Sequence, residues 1–163
     1  MKRIQSYLPL VLIAAAAIFL WLRYKTIPTL EPSSIQLAGV DGKTFSLADT
    51  LHSKSIIHFY ASWCGPCMKE LKQLSALQTE LSEYGWHLIL ITDDDVQNMQ
   101  LIAKRYQLSC TLVRVSSMKE LGVYSIPATV VLNDSGQEIF SRIGEVHWMK
   151  ERIDEDSFLR TPK

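Results

Sequence analysis

Cysteine is scarce in this chain: 163 residues carry three, Cys64, Cys67 and Cys110. Three thiols cannot build the multiple-disulfide framework that staples a small secreted domain, and a lone Cys-x-x-Cys has no second ligand pair to complete a structural zinc site. A charge excess is missing as well. Seventeen basic residues meet seventeen acidic ones, for a formal net charge of zero, and nothing in that balance points to a nucleic-acid partner. Acidic residues are absent through Lys25, where Lys2, Arg3, Arg23 and Lys25 stand alone, so the remainder holds 13 basic against 17 acidic groups. Repeats and low-complexity tracts are absent, which excludes an array architecture. With 47% apolar and 21% charged residues, the length suits one globular domain with an appendage, not two full domains.

The single long apolar run lies near the amino end. From Ile4 to Leu22 no residue carries a formal charge, and as a helix this run would span about 28 Å, close to a bilayer's hydrocarbon core. It predicts a membrane-spanning helix within an anchor at residues 1–25. Trp21 and Tyr24 suit the interface at its far end, and Pro9 limits helix at the near end. A cleaved signal peptide is the alternative, with Lys2 and Arg3 as its basic start and Ala14 to Ala17 as small residues for the peptidase. Against it, the run continues through Ile18, Phe19 and Leu20, so cleavage there would leave a hydrophobic stub. Basic residues flank both ends, and the positive-inside bias is nearly balanced. Residues 26–34, with Pro28 and Pro32, read as an extended tether. The folded domain is assigned to residues 35–163, its elements ending near Ile153.

Within that domain Ile35–Leu47 predicts a hairpin turning at Asp41-Gly42, where an Asp-Gly pair accepts positive φ. Ser55–Ala61 is rich in β-branched and aromatic residues and predicts a strand buried on both faces. Leu71, Leu74, Leu77 and Leu81 recur at helical spacing up to Gly85, a glycine stop. Trp86–Thr92 reads as the next strand, and Thr92-Asp93-Asp94-Asp95 supplies caps for a helix through about Tyr106. This β-α-β-α order predicts an α/β domain with a parallel sheet core. Further on, Thr111–Val115 reads as a strand, Ser117–Leu121 as a short helix and Ala128–Leu132 as a strand. A turn at Asn133-Asp134-Ser135-Gly136 leads to an antiparallel strand at Glu138–Ile143, and Val146–Ile153 reads as a final helix.

Trp63-Cys64-Gly65-Pro66-Cys67 sits between the buried strand and the leucine-striped helix. Two thiols separated by two residues can close a small disulfide ring, and the first lies where unpaired N–H groups and the positive dipole end of a helix favour thiolate. That placement marks a redox centre rather than two inert core cysteines. Gly65 relieves crowding beside the first sulfur, and Pro66 is tolerated in a first helical turn.

The motif with Phe59-Tyr60-Ala61-Ser62 before it, together with Ser125-Ile126-Pro127-Ala128-Thr129 leading into the last hairpin, resembles the thioredoxin superfamily over nearly the whole domain. Asp41-Gly42-Lys43, Ser46-Leu47-Ala48-Asp49 and the single amino-terminal anchor narrow the likeness to TlpA/ResA-type membrane-tethered thiol–disulfide oxidoreductases. The resemblance implies a thioredoxin fold, a central mixed sheet flanked by helices, with an added amino-terminal hairpin. It also implies a domain facing the periplasm or cell exterior from the cytoplasmic membrane. Protein disulfides would be its substrates, those of cytochrome c maturation among them, with electrons drawn from a membrane thiol–electron transporter. No metal or other cofactor is implied.

Residue by residue, Cys64 would be the exposed attacking thiolate and Cys67, more buried, the resolving thiol. Pro127 matches the family's cis proline facing the motif, and Trp63 would belong to the docking face. His58 occupies the position where thioredoxins keep a buried acid; an imidazole there would shuttle the proton of Cys67, or else serve only as a hydrogen-bonded core residue. Glu70 matches an acidic position that ResA-type proteins place near the site, and it also reads as a solvated acid in early helical turns. Cys110 reads as a small buried apolar residue rather than a third redox group. His52, His87 and His147 show no ligand spacing, and Trp86 and Trp148 read as core aromatics. Gly-Pro between the cysteines resembles reducing members, but the dipeptide alone does not set direction, so an oxidase or isomerase stays open. A thioredoxin-like copper chaperone, with His147 as third ligand, would need a three-residue spacer. A thiol peroxidase is disfavoured because its peroxide-binding loop signature is absent.

Overall fold

A computed structural model of the chain describes residues 8–25, 36–39, 43–46 and 54–148. Helix α1 covers Leu8–Lys25. It is followed by β1 (Gln36–Gly39), β2 (Thr44–Ser46), β3 (Lys54–Phe59), α2 (Gly65–Glu83), β4 (Trp86–Thr92), α3 (Val96–Tyr106) and β5 (Thr111–Arg114). A 3₁₀ turn at Met118–Leu121, then β6 (Ala128–Leu132) and β7 (Glu138–Ile143), complete the order.

The strands form one seven-stranded sheet in the order β2-β1-β5-β4-β3-β6-β7. The three central strands run parallel, as the alternation of strands and helices requires. β6 returns antiparallel to β3, β7 antiparallel to β6, and the β1–β2 hairpin adds antiparallel to β5. Strands β1 and β2 pair as the hairpin expected there; its turn at Asp41-Gly42 lies outside the described residues, as do residues 26–34 and His52.

Strand β3 explains the sheet's two faces. Its residues from Ser55 to Phe59 are all buried, and the pleat sends successive side chains to opposite sides. Ile56 and Tyr60 join the core under α2 and α3, and Ile57 and Phe59 the core on the other face. By the same parity His58 points toward α2. Helix α2 buries Leu71, Leu74, Leu77 and Leu81 in that core, each burial stabilising the fold by about 1.5–3 kcal/mol. It ends at Tyr84, followed by Gly85 at φ 77°, a left-handed conformation that favours glycine. Asp95 caps α3 by accepting the Asn98 N–H at 2.7 Å.

One expectation needs revision, and another is not shown. The expected final helix does not form where it is described: Val146–Trp148 has no regular structure. Its backbone N–H groups are drawn to α2 instead, that of Val146 to the Glu70 carboxylate and that of Trp148 to the Gln73 side chain; residues 149–153 lie outside the described residues. The expected membrane span is not shown either. Among the described residues no helix is long and apolar enough to cross a membrane.

Candidate active site

The site lies at the carboxyl end of β3. Phe59 is in register with Ile91 of β4 and Ala128 of β6, so the loop after β3, the loop after β4 and the segment before β6 all meet at one end of the sheet. The first loop carries Trp63 and Cys64, the second Asp94, and the third Pro127.

Cys64 and Cys67 are joined by a disulfide, with sulfurs 2.08 Å apart and Cα atoms 5.2 Å apart. Cys64 is the N-cap of α2, and its Sγ accepts the Cys67 N–H at 3.2 Å. Pro66 falls in the first turn, where its missing N–H leaves no partner unserved. The ring is less open than the sequence suggested. Cys64 is only 6% exposed and Cys67 is fully buried, because in the closed ring the Cys64 sulfur turns in to its partner and to the Cys67 N–H. Trp63 beside it is 77% exposed, a large apolar surface at the mouth of the site.

The Ile126–Pro127 peptide is cis, as the family resemblance implied. The Pro127 carbonyl accepts the Gly144 N–H at 2.8 Å, which ties this segment to the end of β7. Tyr124, three residues earlier, is also exposed.

One helical turn beyond Cys67, Glu70 belongs to a buried polar cluster. His58, Glu70 and Thr129 are all fully buried. His58 Nδ1 is 3.0 Å from Thr129 Oγ1 and 3.2 Å from Glu70 Oε2, and His58 and Thr129 are direct cross-strand partners. The second Glu70 oxygen accepts the Val146 N–H. Glu70 is therefore not a solvated helix acid: it sits one turn after Cys67, at the edge of the leucine stripe, and points inward. Burial pushes its carboxyl up to about 7, against the lowering pull of the Val146 N–H, the Trp148 indole and Arg142. Burial likewise pushes His58 down to about 3. Both groups thus favour their neutral forms. His58 Nε2, the Tyr60 hydroxyl and Glu70 Oε2 find no hydrogen-bond partner among the described residues, and the Trp148 indole N–H acts on Glu70 from nearby without reaching hydrogen-bond geometry.

Sequence reasoning missed two contributors. Asp94 read as one of several capping acids, yet its Oδ2 accepts the Ser62 N–H at 2.7 Å and holds the cysteine loop. Thr129 carried no signal, since only the β3–β6 register places it across from His58. Cys110 is free and half-buried, packed against the α2-side core, and burial pushes its thiol up to about 12. His147 is exposed, and Trp86 and Trp148 are core aromatics as expected. Among the described residues no cluster of three or more His, Cys, Asp or Glu side chains is arranged to hold a metal ion.

Comparison with known proteins agrees with this geometry. The model of the AhpC/TSA family matches residues 30–139. The chain is 28% identical over 120 residues to sporulation thiol-disulfide oxidoreductase A of Bacillus subtilis, covering 69% of this chain and 72% of that one. It is 24% identical over 119 residues to the thiol-disulfide oxidoreductase ResA of Bacillus cereus, covering 71% and 69% respectively. The crystal structure of StoA from Bacillus subtilis superposes with a TM-score of 0.58 at 26% identity, covering 76% of this chain and 96% of that one.

Proposed function

The chain belongs to the AhpC/TSA family and is a thiol–disulfide oxidoreductase of the thioredoxin fold, and we propose that it is a membrane-tethered reductant of disulfides in exported proteins. The observation that carries the reading is the Cys64–Cys67 disulfide at the first turn of α2, with the Cys67 N–H on the Cys64 sulfur. In the reduced protein that N–H and the helix dipole stabilise a Cys64 thiolate. The thiolate attacks a substrate sulfur, forming a mixed disulfide and expelling the first substrate thiolate. Cys67 then gives up its proton and attacks Cys64 Sγ, closing the ring and releasing the second substrate thiolate. Two electrons pass from the dithiol to the substrate. Trp63 and Pro127 flank the ring as the docking face, and His58 with Glu70 receives the Cys67 proton.

Tethering is supported by α1. Leu10, Val11, Leu12 and Ile13 are consecutive and all exposed, as are Ile18 to Trp21 among the larger side chains. A helix apolar on every face has no side suited to water. On this reading the domain faces the periplasm or cell exterior, receives electrons from a membrane thiol–electron transporter, and serves substrates such as those of cytochrome c maturation.

The direction is testable by redox equilibration. A Cys64/Cys67 couple below about −230 mV supports a reductase, and one above about −180 mV supports an oxidase or isomerase. Cys67→Ser expressed in the full chain is expected to hold the substrate as a mixed disulfide on Cys64. Recovery of no disulfide-linked partner from membranes counts against the proposed substrate class.

A further inference from the structure

We propose that Gln73 is a positioning residue, latching the segment after β7 onto α2 and so fixing the docking proline Pro127 relative to the Cys64 sulfur. The inference rests on the docking role given to Pro127 above. Strand β7 ends at Ile143, and the Gly144 N–H adds one more rung to the β6–β7 ladder by donating to the Pro127 carbonyl at 2.8 Å. Gly144 then takes φ 100°, a left-handed conformation that favours glycine, and the chain turns off the sheet. It crosses to α2. The Val146 N–H donates to the Glu70 carboxylate, and the Trp148 N–H to Gln73 Oε1 at 2.7 Å. Val146 and Trp148 are buried in the same core cluster as Cys64 and Cys67, and His147 between them is exposed.

Cys67, Glu70 and Gln73 follow one another about one turn apart along α2. Residues 144–148 therefore join the two elements that meet on a substrate: the sheet end that bears Pro127, and the helix that bears the ring. Exchange between sulfurs needs the attacking sulfur in line with the disulfide it breaks, and a misplacement of about 1 Å costs up to about a hundredfold in rate. A protein disulfide is oriented by the chain docked around it. A small aromatic disulfide orients itself freely, so its attack by Cys64 does not depend on where Pro127 sits. Gln73 is half-buried and lies outside the reacting groups, which makes its contribution separable from theirs. Its amide oxygen gives the Trp148 N–H, in a segment without regular structure, the partner that a helix or sheet ladder would otherwise supply.

The test compares the full chain with Gln73→Met, which keeps the side-chain length and removes the amide oxygen, and with Gln73→Glu, which keeps an oxygen acceptor. Gln73→Met is expected to lower kcat/KM for insulin disulfides about tenfold. The first thionitrobenzoate release from Ellman's disulfide by the reduced protein should stay within about twofold. In hydrogen exchange the Trp148 and Gly144 amides should open together in Gln73→Met, each about fivefold faster, the factor for loss of one ordinary hydrogen bond. Gln73→Glu should restore both readouts, and its failure to do so would assign the loss to packing and overturn the latch. A Gly144 amide left unchanged by Gln73→Met overturns it too, as does an unchanged insulin rate or an equal loss toward insulin and Ellman's disulfide. If the wild type reacts with Ellman's disulfide but with no protein disulfide, the substrate class proposed above falls, and the Gly144 amide still decides the latch.

Discussion

Asp94 reaches across the end of the sheet to Ser62, its Oδ2 accepting the backbone N–H two residues before Cys64 at 2.7 Å. Asp94 is itself held, its N–H donating to Thr92 Oγ1 at 3.1 Å and its carbonyl accepting from Arg114 Nε at 2.9 Å. The loop that carries the reactive sulfur is therefore fastened to β4 and β5 through one carboxylate. A hydrogen bond to a charged acceptor contributes about 1.5–3 kcal/mol. Asp94→Ala should destabilise the fold by about 1–2 kcal/mol, given partial solvent access, and speed hydrogen exchange at the Ser62 amide. Asp94→Asn keeps an acceptor and should cost less than about 1 kcal/mol. Equal losses from the two variants in denaturant titrations would mean that the contact does not hold the loop.

His58 and Glu70 act on stability in opposite directions as pH changes. Glu70 is raised from 4.5 to about 7, so between those values the folded state holds more protons than the unfolded one. Its contribution is present below pH 4.5 and lost as pH rises through 7. His58 is lowered from 6.5 to about 3, so its contribution is present above pH 6.5 and lost as pH falls through 3. From pH 4.5 to 6.5 the two slopes oppose each other. Removing one partner exposes the other: relative to wild type, His58→Asn should lose stability as pH rises through this window. Glu70→Gln should gain it, each by up to about 1.4 kcal/mol per pH unit. Denaturation midpoints that change in the same direction with pH for both variants would contradict the buried pair.

Cys110 should stay out of the chemistry. A thiol pushed up to about 12 carries a thiolate fraction on the order of 1 in 10⁵ at pH 7. Brief iodoacetamide treatment of the reduced protein should label Cys64 and spare Cys110 by peptide mapping. Cys110→Ala should keep the exchange rate within about twofold. Preferential labelling of Cys110 would assign reactivity to the wrong thiol.

Much of this fold is legible because apolar runs are sharply bounded. Trp86–Thr92 begins after Gly85 and ends before three aspartates, Ala128–Leu132 begins after Pro127 and ends at Asn133, and both strands occupy those limits. The disulfide pair is legible for the same local reason, since spacing and helix start lie within five residues. What sequence could not supply is set by distant partners. Val146–Trp148 takes its path from Glu70 and Gln73, more than seventy residues away, so its apolar content misled toward helix. Glu70 looked solvated until the turn above it closed over its carboxylate. The burial of Cys64 depends on its pairing with Cys67 and on the Cys67 N–H that its sulfur accepts, contacts that a helix-start position alone does not specify.

The sulfur of Cys64 carries the reaction. Reduction of insulin disulfides by the full chain, compared between the wild type and Cys64→Ser with Cys110→Ala in both, tests it most directly. Turbid precipitation of the insulin B chain is expected with the wild-type sulfur in place, and only the uncatalysed background without it. Undiminished precipitation by the Cys64→Ser protein would contradict it.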